Sequence, residues 1–241
     1  DSLSTLTGQH TLNMALAYSP ITTADGLILY LDPANARSYS GSGTAWNTLI
    51  GSASATLYNT PTYSTTNGGI FTFNGSTQYA LVGALTSGLT TTMSINIWFK
   101  TTTTSVAQTL WWDDDGQGGG DAWVSIETTG KIQSNRDTDG YGVLASSATI
   151  ATNTWYNFCM VADGTGKKFY INGALDTSNA VAIATRANRS YFSIGVSTPF
   201  PPTPSSGYFS GSMGPISVYS TALSAADVAR NFNAMRARYG V

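Results

Sequence analysis

Residues 153–175 read NTWYNFCMVADGTGKKFYINGAL. From Thr154 to Asp163 the run is apolar and rich in aromatic residues, and its length suits a strand better than a helix. A turn at Asp163–Gly166 stops it. The segment KKFYI then leads into Asn172-Gly173. That pair accepts positive φ at both central positions of a two-residue hairpin loop. Strand, turn, strand and tight turn in sequence predict antiparallel β structure. The 154–163 run is the most apolar of the set and is expected near the centre of a sheet.

The same punctuation continues outward in both directions. LILYLD at 27–32 opens the series, and GGIFTFNG at 68–75 sets Phe71 and Phe73 against Ile70, Thr72 and Asn74 with a period of two. YALVG follows at 79–83, and TMSINIWFK at 92–100 is a strong strand. VAQTLWW, AWVSIET, KIQSN, YFSIG and ISVYS complete the set, separated by glycine, proline and acidic turns. About ten to fourteen short strands predict an all-β class with two packed antiparallel sheets, a sandwich or jelly roll.

One helix is predicted, at 221–240, in TALSAADVARNFNAMRARYG. Ser224 is a candidate N-cap with Asp227 three residues on, and Leu223 with Val228 suits a hydrophobic staple. Val228, Phe232, Met235 and Tyr239 form one apolar stripe. Arg230, Arg236 and Arg238 sit toward the end where the helix dipole favours cations, and Gly240 can stop the helix. STPFPPTPSSG at 197–207 carries four prolines and reads as a loop. Residues 1–24 have weak periodicity and read as an extended arm. The chain is therefore divided into an arm, 1–24, and one sandwich domain, 25–241.

Composition narrows the partners. Charged residues make up 10% of the chain against a usual ~25%, so Thr, Ser, Asn and Gly must supply the polar surface. A net charge of -2 with no basic cluster argues against nucleic acid. No apolar run approaches the ~20 residues of a membrane span, so no membrane insertion is expected. The one cysteine, Cys159, lies in an apolar run, where a buried thiol is expected and no internal disulfide can form.

The order of these motifs resembles laminin-G-like, concanavalin A-like jelly-roll domains of the lectin and glucanase kind. The resemblance is carried by the opening strand with its Trp46 turn, by MSINIWFK, by NTWYNFCMVADGTGKKFYINGAL, and by the closing FSGSMGPISVYSTALSAADVARNF. It covers roughly residues 25–240. It implies two packed antiparallel sheets and a protein that binds glycans or proteins, with hydrolases in some branches. LYLDPANARSYSGSGTAW at 29–46 is also similar to an opening found in phage and marine viral structural proteins. That likeness implies a virion-surface location, with an extracellular one as alternative, virion structural proteins as partners, and a homo-oligomer. Many such domains hold Ca²⁺ through an Asp after the first Trp and an acidic pair in the closing strand. This chain has Thr48 at the first place and Gly214-Pro215 at the second. Both changes remove charged oxygen ligands that a hard cation needs.

Retaining glycosidases need two carboxyl groups about 5–5.5 Å apart. Glu127 is the sole glutamate, flanked two residues away by Ser125 and Thr129, and reads as a solvated strand end. His10 is the sole histidine, so no Ser-His-Asp pairing can be built. No enzyme is expected; a polysaccharide hydrolase or lyase acting through Glu127 is the outside alternative. The stretch WWDDDGQGGGDAW at 111–123 leaves three readings open. It is a solvated inter-strand loop, or an irregular calcium site from Asp113, Asp115 and Asp121, or part of a glycan-binding rim. In the last, Trp112 and Asp114 join Asp137, Asp139 and Tyr141 of NRDTDGYG at 135–142. No other cofactor is implied. The expected function is a non-enzymatic particle-surface protein for decoration or adhesion, able to bind glycan, with a dedicated extracellular lectin as the alternative.

Overall fold

The computed structural model describes residues 22–83, 85, 91–114, 122–134, 142–183, 191–197 and 206–241. Among them, sixteen strands build two antiparallel sheets. Sheet I runs β14 (Ala174–Asn179), β13 (Lys167–Ile171), β12 (Tyr156–Asp163), β7 (Thr92–Thr101), β16 (Ser210–Tyr219), β5 (Ile70–Asn74), β4 (Thr62–Ser64), with β1 (Leu27–Leu31) also paired to β16. Sheet II runs β11 (Leu144–Ala145), β10 (Ile132–Ser134), β9 (Ala122–Ile126), β8 (Gln108–Asp114), β15 (Tyr191–Ile194), β6 (Tyr79–Gly83), β3 (Ser54–Tyr58), β2 (Ala45–Asn47). The fold is the expected two-sheet sandwich, consistent with a jelly roll. The strands beyond the expected number include β2, β4 and β11, whose two or three residues are too few to show a period.

Period-two alternation places the core. Along β7, Met93, Ile95, Ile97 and Phe99 point between the sheets, while Ser94, Asn96 and Trp98 face out. Opposite them on β12, Phe158 and Met160 face in and Cys159 faces out. Sheet II contributes Ala122, Val124, Ile126, Phe192 and Ile194 to the same core. Burial also pushes the Cys159 thiol pKa well up, which keeps it protonated. β12 lies near the centre of sheet I, as expected, with β7 at the centre itself. β7 has ten residues in unbroken alternation and is paired along almost its whole length on both sides, which leaves β12 one place further out. The turn at Asn172-Gly173 has φ of 50° and 77°, as its sequence requires.

The outer face of sheet I is covered by α1 (Ala225–Tyr239). Ser224 caps it, accepting from Asp227 N at 3.1 Å and donating to Asp227 Oδ2 at 2.6 Å. That hydroxyl and Thr23 hold the Asp227 carboxyl below its usual range. Leu223 and Val228 share one cluster with Cys159, Val161 and Tyr219. Phe232 and Tyr239 stack on Trp98 at 5.8 and 4.3 Å between centroids, and Trp155 closes on Tyr239. A Cβ at Gly214 would come within 2.1 Å of Tyr239 Oη. An acidic side chain at position 214 would therefore collide with Tyr239 of this helix.

Arg238 departs from the simple dipole expectation. Its guanidinium grips Asp32 through both carboxylate oxygens at 2.9 and 3.1 Å and donates to the carbonyls of Asn67 and Gly69. Asn67 Nδ2 returns a bond to Arg238 O at 2.7 Å. The helix end is thus bolted to the first strand and to the 66–69 turn. At the other end, Thr23 N donates to Asn231 Oδ1 at 2.7 Å, so the chain enters along α1. Residues 1–21 of the expected arm, His10 among them, lie outside the described residues. Among the described residues no helix is long and apolar enough to cross a membrane.

Candidate functional site

Among the described residues, no helix packs on the outer face of sheet II. Its geometry starts from a bulge in β8. Thr109 pairs with Ser125 and Trp111 with Val124, so Leu110 is the extra residue and both Leu110 and Trp111 turn into the core. Trp111 stacks on Phe192 there, at 5.9 Å between centroids. The next residue, Trp112, then faces out, directly opposite Trp123 of β9. The two indoles stack at 5.7 Å and 6°. Trp111 and Trp112 thus take opposite faces of the sheet, and the outward one is Trp112.

Along β9, Trp123, Ser125 and Glu127 occupy every second position and so share the outer face. Gln133 of β10 pairs with Ser125 and joins the same row. Ser125 Oγ donates a short hydrogen bond to Glu127 Oε1. These side chains line a groove of about 280 Å³ with Thr109, Ser197 and Gly207. Gly207 O accepts from Thr109 N at 2.8 Å, and a Cβ at Gly207 would fall 2.5 Å from Thr109 Oγ1. With a φ of +68° as well, only glycine brings this wall so close. Ser197 and Ser206 pair as an isolated bridge at the base of the proline-rich loop.

The groove combines stacked aromatic surface with hydroxyl, amide and carboxylate groups, the mixture of apolar lining and few placed polar groups that binds small ligands. Among its lining residues, Trp112 Nε1 is a buried donor without a hydrogen-bond partner. Glu127 is half-buried and hydrogen-bonded within this groove, not the solvated strand end expected from sequence. The alternation of AWVSIET was the available signal: Trp123 shares its strand face with Ser125 and Glu127.

Of the rim residues expected from sequence, Trp112 lies in the groove. Asp137, Asp139 and Tyr141 lie outside the described residues, and so does the side chain of Asp114. The β9–β10 hairpin sets Ser134 opposite Val124, so Asp114, Ala122 and Ser134, the described residues that border 115–121 and 135–141, sit at one end of sheet II. Of the calcium triplet, Asp113 is buried on the Trp111 side of β8, while Asp115 and Asp121 lie outside the described residues. No group of three or more metal-ligating side chains occurs among the described residues. Thr48 instead closes its turn, accepting from Tyr30 N at 3.0 Å and Ile50 N at 3.3 Å.

A two-sheet sandwich with one outer face capped by a helix and the other bearing an aromatic groove defines a lectin-like domain. The chain belongs to the concanavalin A-like lectin/glucanases superfamily: the Laminin_G_3 family profile matches residues 74–229. No curated protein matches it in sequence. Several solved structures share the fold. Domain 4 of AbnA, an extracellular arabinanase from Geobacillus stearothermophilus, in complex with arabinotriose, is 19% identical with a TM-score of 0.61, over 87% of this chain and 98% of that one. The ligand binding domain of botulinum neurotoxin serotype D, in complex with N-acetylneuraminic acid, is 18% identical with a TM-score of 0.63, over 87% of this chain and 51% of that one. A Trypanosoma rangeli sialidase with the inhibitor DANA is 14% identical with a TM-score of 0.64, over 92% and 37%. The chain thus spans about half the length of the neurotoxin binding domains it matches, 51% of that of the C/D mosaic serotype.

Proposed function

We propose that this chain is a carbohydrate-binding module that holds glycan in the sheet II groove and does not cleave it. The observation that carries this reading is the stacked Trp112–Trp123 pair, set beside Ser125, Glu127 and Gln133 in one groove. The two indoles are 8% and 5% exposed, so a sugar ring would meet the rim of the stacked pair while the polar groups pair with its hydroxyls. Neighbours of the same fold crystallised with arabinotriose and with N-acetylneuraminic acid support it. Among the described residues lining the groove, Glu127 is the one carboxylate, and hydrolysis by the retaining route needs two. That favours binding over the hydrolase or lyase alternative.

Its setting, in this reading, is a virion or particle surface, where the module decorates or adheres as a homo-oligomer alongside other structural proteins. The support for that setting is the resemblance of residues 29–46 to viral structural openings. A glycan array with the purified protein, run with calcium and again with chelator, tests the function. Selective binding that Trp123→Ala abolishes is the expected result. Binding by the wild type that survives Trp123→Ala moves the site elsewhere. Loss on chelation brings the acids from Asp113 to Asp121 into the site. Turnover that disappears in Glu127→Gln overturns the non-enzymatic reading.

A further inference from the structure

The groove ends against a second aromatic group on the same sheet face. Tyr58 of β3 and Tyr79 of β6 are directly paired, and their rings stack at 4.6 Å and 4°. Tyr208 lies 6.4 Å from Tyr79, and it directly follows Gly207, which lines the groove. The register fixes the relation of the two groups. Trp123, Trp112, Ser193, Leu81 and Thr56 form one row across sheet II, and Tyr79 and Tyr58 form the next row of the same face. From Trp112 to Tyr79 is two strands across and one row along, about 12 Å by sheet geometry. That is further than a single sugar ring reaches. Tyr58 and Tyr208 are half-buried, so each keeps surface toward solvent.

Charge narrows the ligand further. The described walls of the groove carry one charged group, the carboxylate of Glu127, and no cation. A carboxylate in a confined groove repels an anionic sugar and disfavours it against a neutral one. We propose that the ligand is an extended, uncharged glycan chain that occupies the Trp112–Trp123 groove at one end and the Tyr58–Tyr79–Tyr208 patch at the other. This rests on the groove reading above and adds a second subsite and a substrate class to it.

Calorimetric titration with unbranched arabinose, xylose and glucose oligomers, from monosaccharide to hexasaccharide, tests it, with N-acetylneuraminic acid as the charged probe. In the series that binds, affinity should climb with chain length. Tyr58→Ala and Tyr208→Ala should each remove about tenfold from the hexasaccharide affinity while leaving the disaccharide affinity unchanged. The wild-type length series needs no variant, so a misfolded variant does not stall the test. Affinity that is flat with length, an equal loss at every length, or tighter binding of N-acetylneuraminic acid than of any neutral oligomer overturns the extended neutral chain alone. Absence of binding to every sugar overturns the groove reading as well.

Discussion

The two outer faces of this sandwich are built alike and finished differently. Each presents tryptophan from a strand interior: Trp98 on sheet I, Trp112 and Trp123 on sheet II. On sheet I, Trp98 is roofed by Phe232 and Tyr239 of α1, and the roof is pinned by Arg238. On sheet II the indoles cover each other and border a groove. The lesson is that aromatic residues on a sheet face do not announce a binding site. What distinguishes the faces is whether a helix was supplied to cover them, and which polar groups lie beside the rings.

If stability lives in the covered face and recognition in the groove, each can be broken without the other. The largest effect is expected from Arg238→Ala, which strands Asp32 and frees the end of α1. Removing one partner of a buried pair costs about 3–5 kcal/mol, and the lower end applies to a site with some solvent access. Denaturant unfolding should show that loss, with sugar affinity unchanged in the folded protein. Glu127→Gln should do the reverse: about tenfold weaker sugar binding by calorimetry, with stability within about 0.5 kcal/mol. If instead both variants move both quantities, the two faces are not separate.

Ser224→Ala should remove about 1 kcal/mol, because the Asp227 N–H loses its acceptor, and thermal unfolding measures it. The smallest effect is expected at Asp163, in the turn of the β12–β13 hairpin. Hydrogen bonds from Lys168 and Thr165 hold its carboxyl well below the usual range. A depressed folded pKa means that the stabilisation is complete above the unfolded value near ~3.9 and is lost as pH falls through the folded one. Asp163→Asn should therefore lower stability by about 0.2–1 kcal/mol at neutral pH, with the difference from wild type vanishing as pH falls, so that the acid limb flattens. It should leave the groove untouched.

Much of the fold was legible because it rests on local rules. Period two named the strands, Asn172-Gly173 named a hairpin, and Ser224, Leu223 and Gly240 bounded the helix. The site was half legible. Trp112 could be singled out, but the choice between it and Trp111 rests on a bulge at Leu110 that leaves no mark in the sequence. Glu127 was read by its position before a glycine turn, whereas its partners come from neighbouring strands. Arg238 looks like an ordinary helix-end cation until Asp32, 206 residues away, is placed beside it. Long-range pairing of this kind, and the meeting of Tyr58, Tyr79 and Tyr208, are properties of strand order. Local pattern carries no information about strand order.

Strand order also has a consequence for how the chain matures. β16 sits between β7 on one side and β5 and β1 on the other, yet it begins at Ser210. During synthesis, the other described strands would emerge with the middle of sheet I missing and β7, β5 and β1 presenting unpaired edges. Such edges invite pairing with other chains, and late long-range closure is slow. Final closure of the sandwich therefore waits for the last of its strands, and a domain cut short before β16 would carry an open seam through its centre.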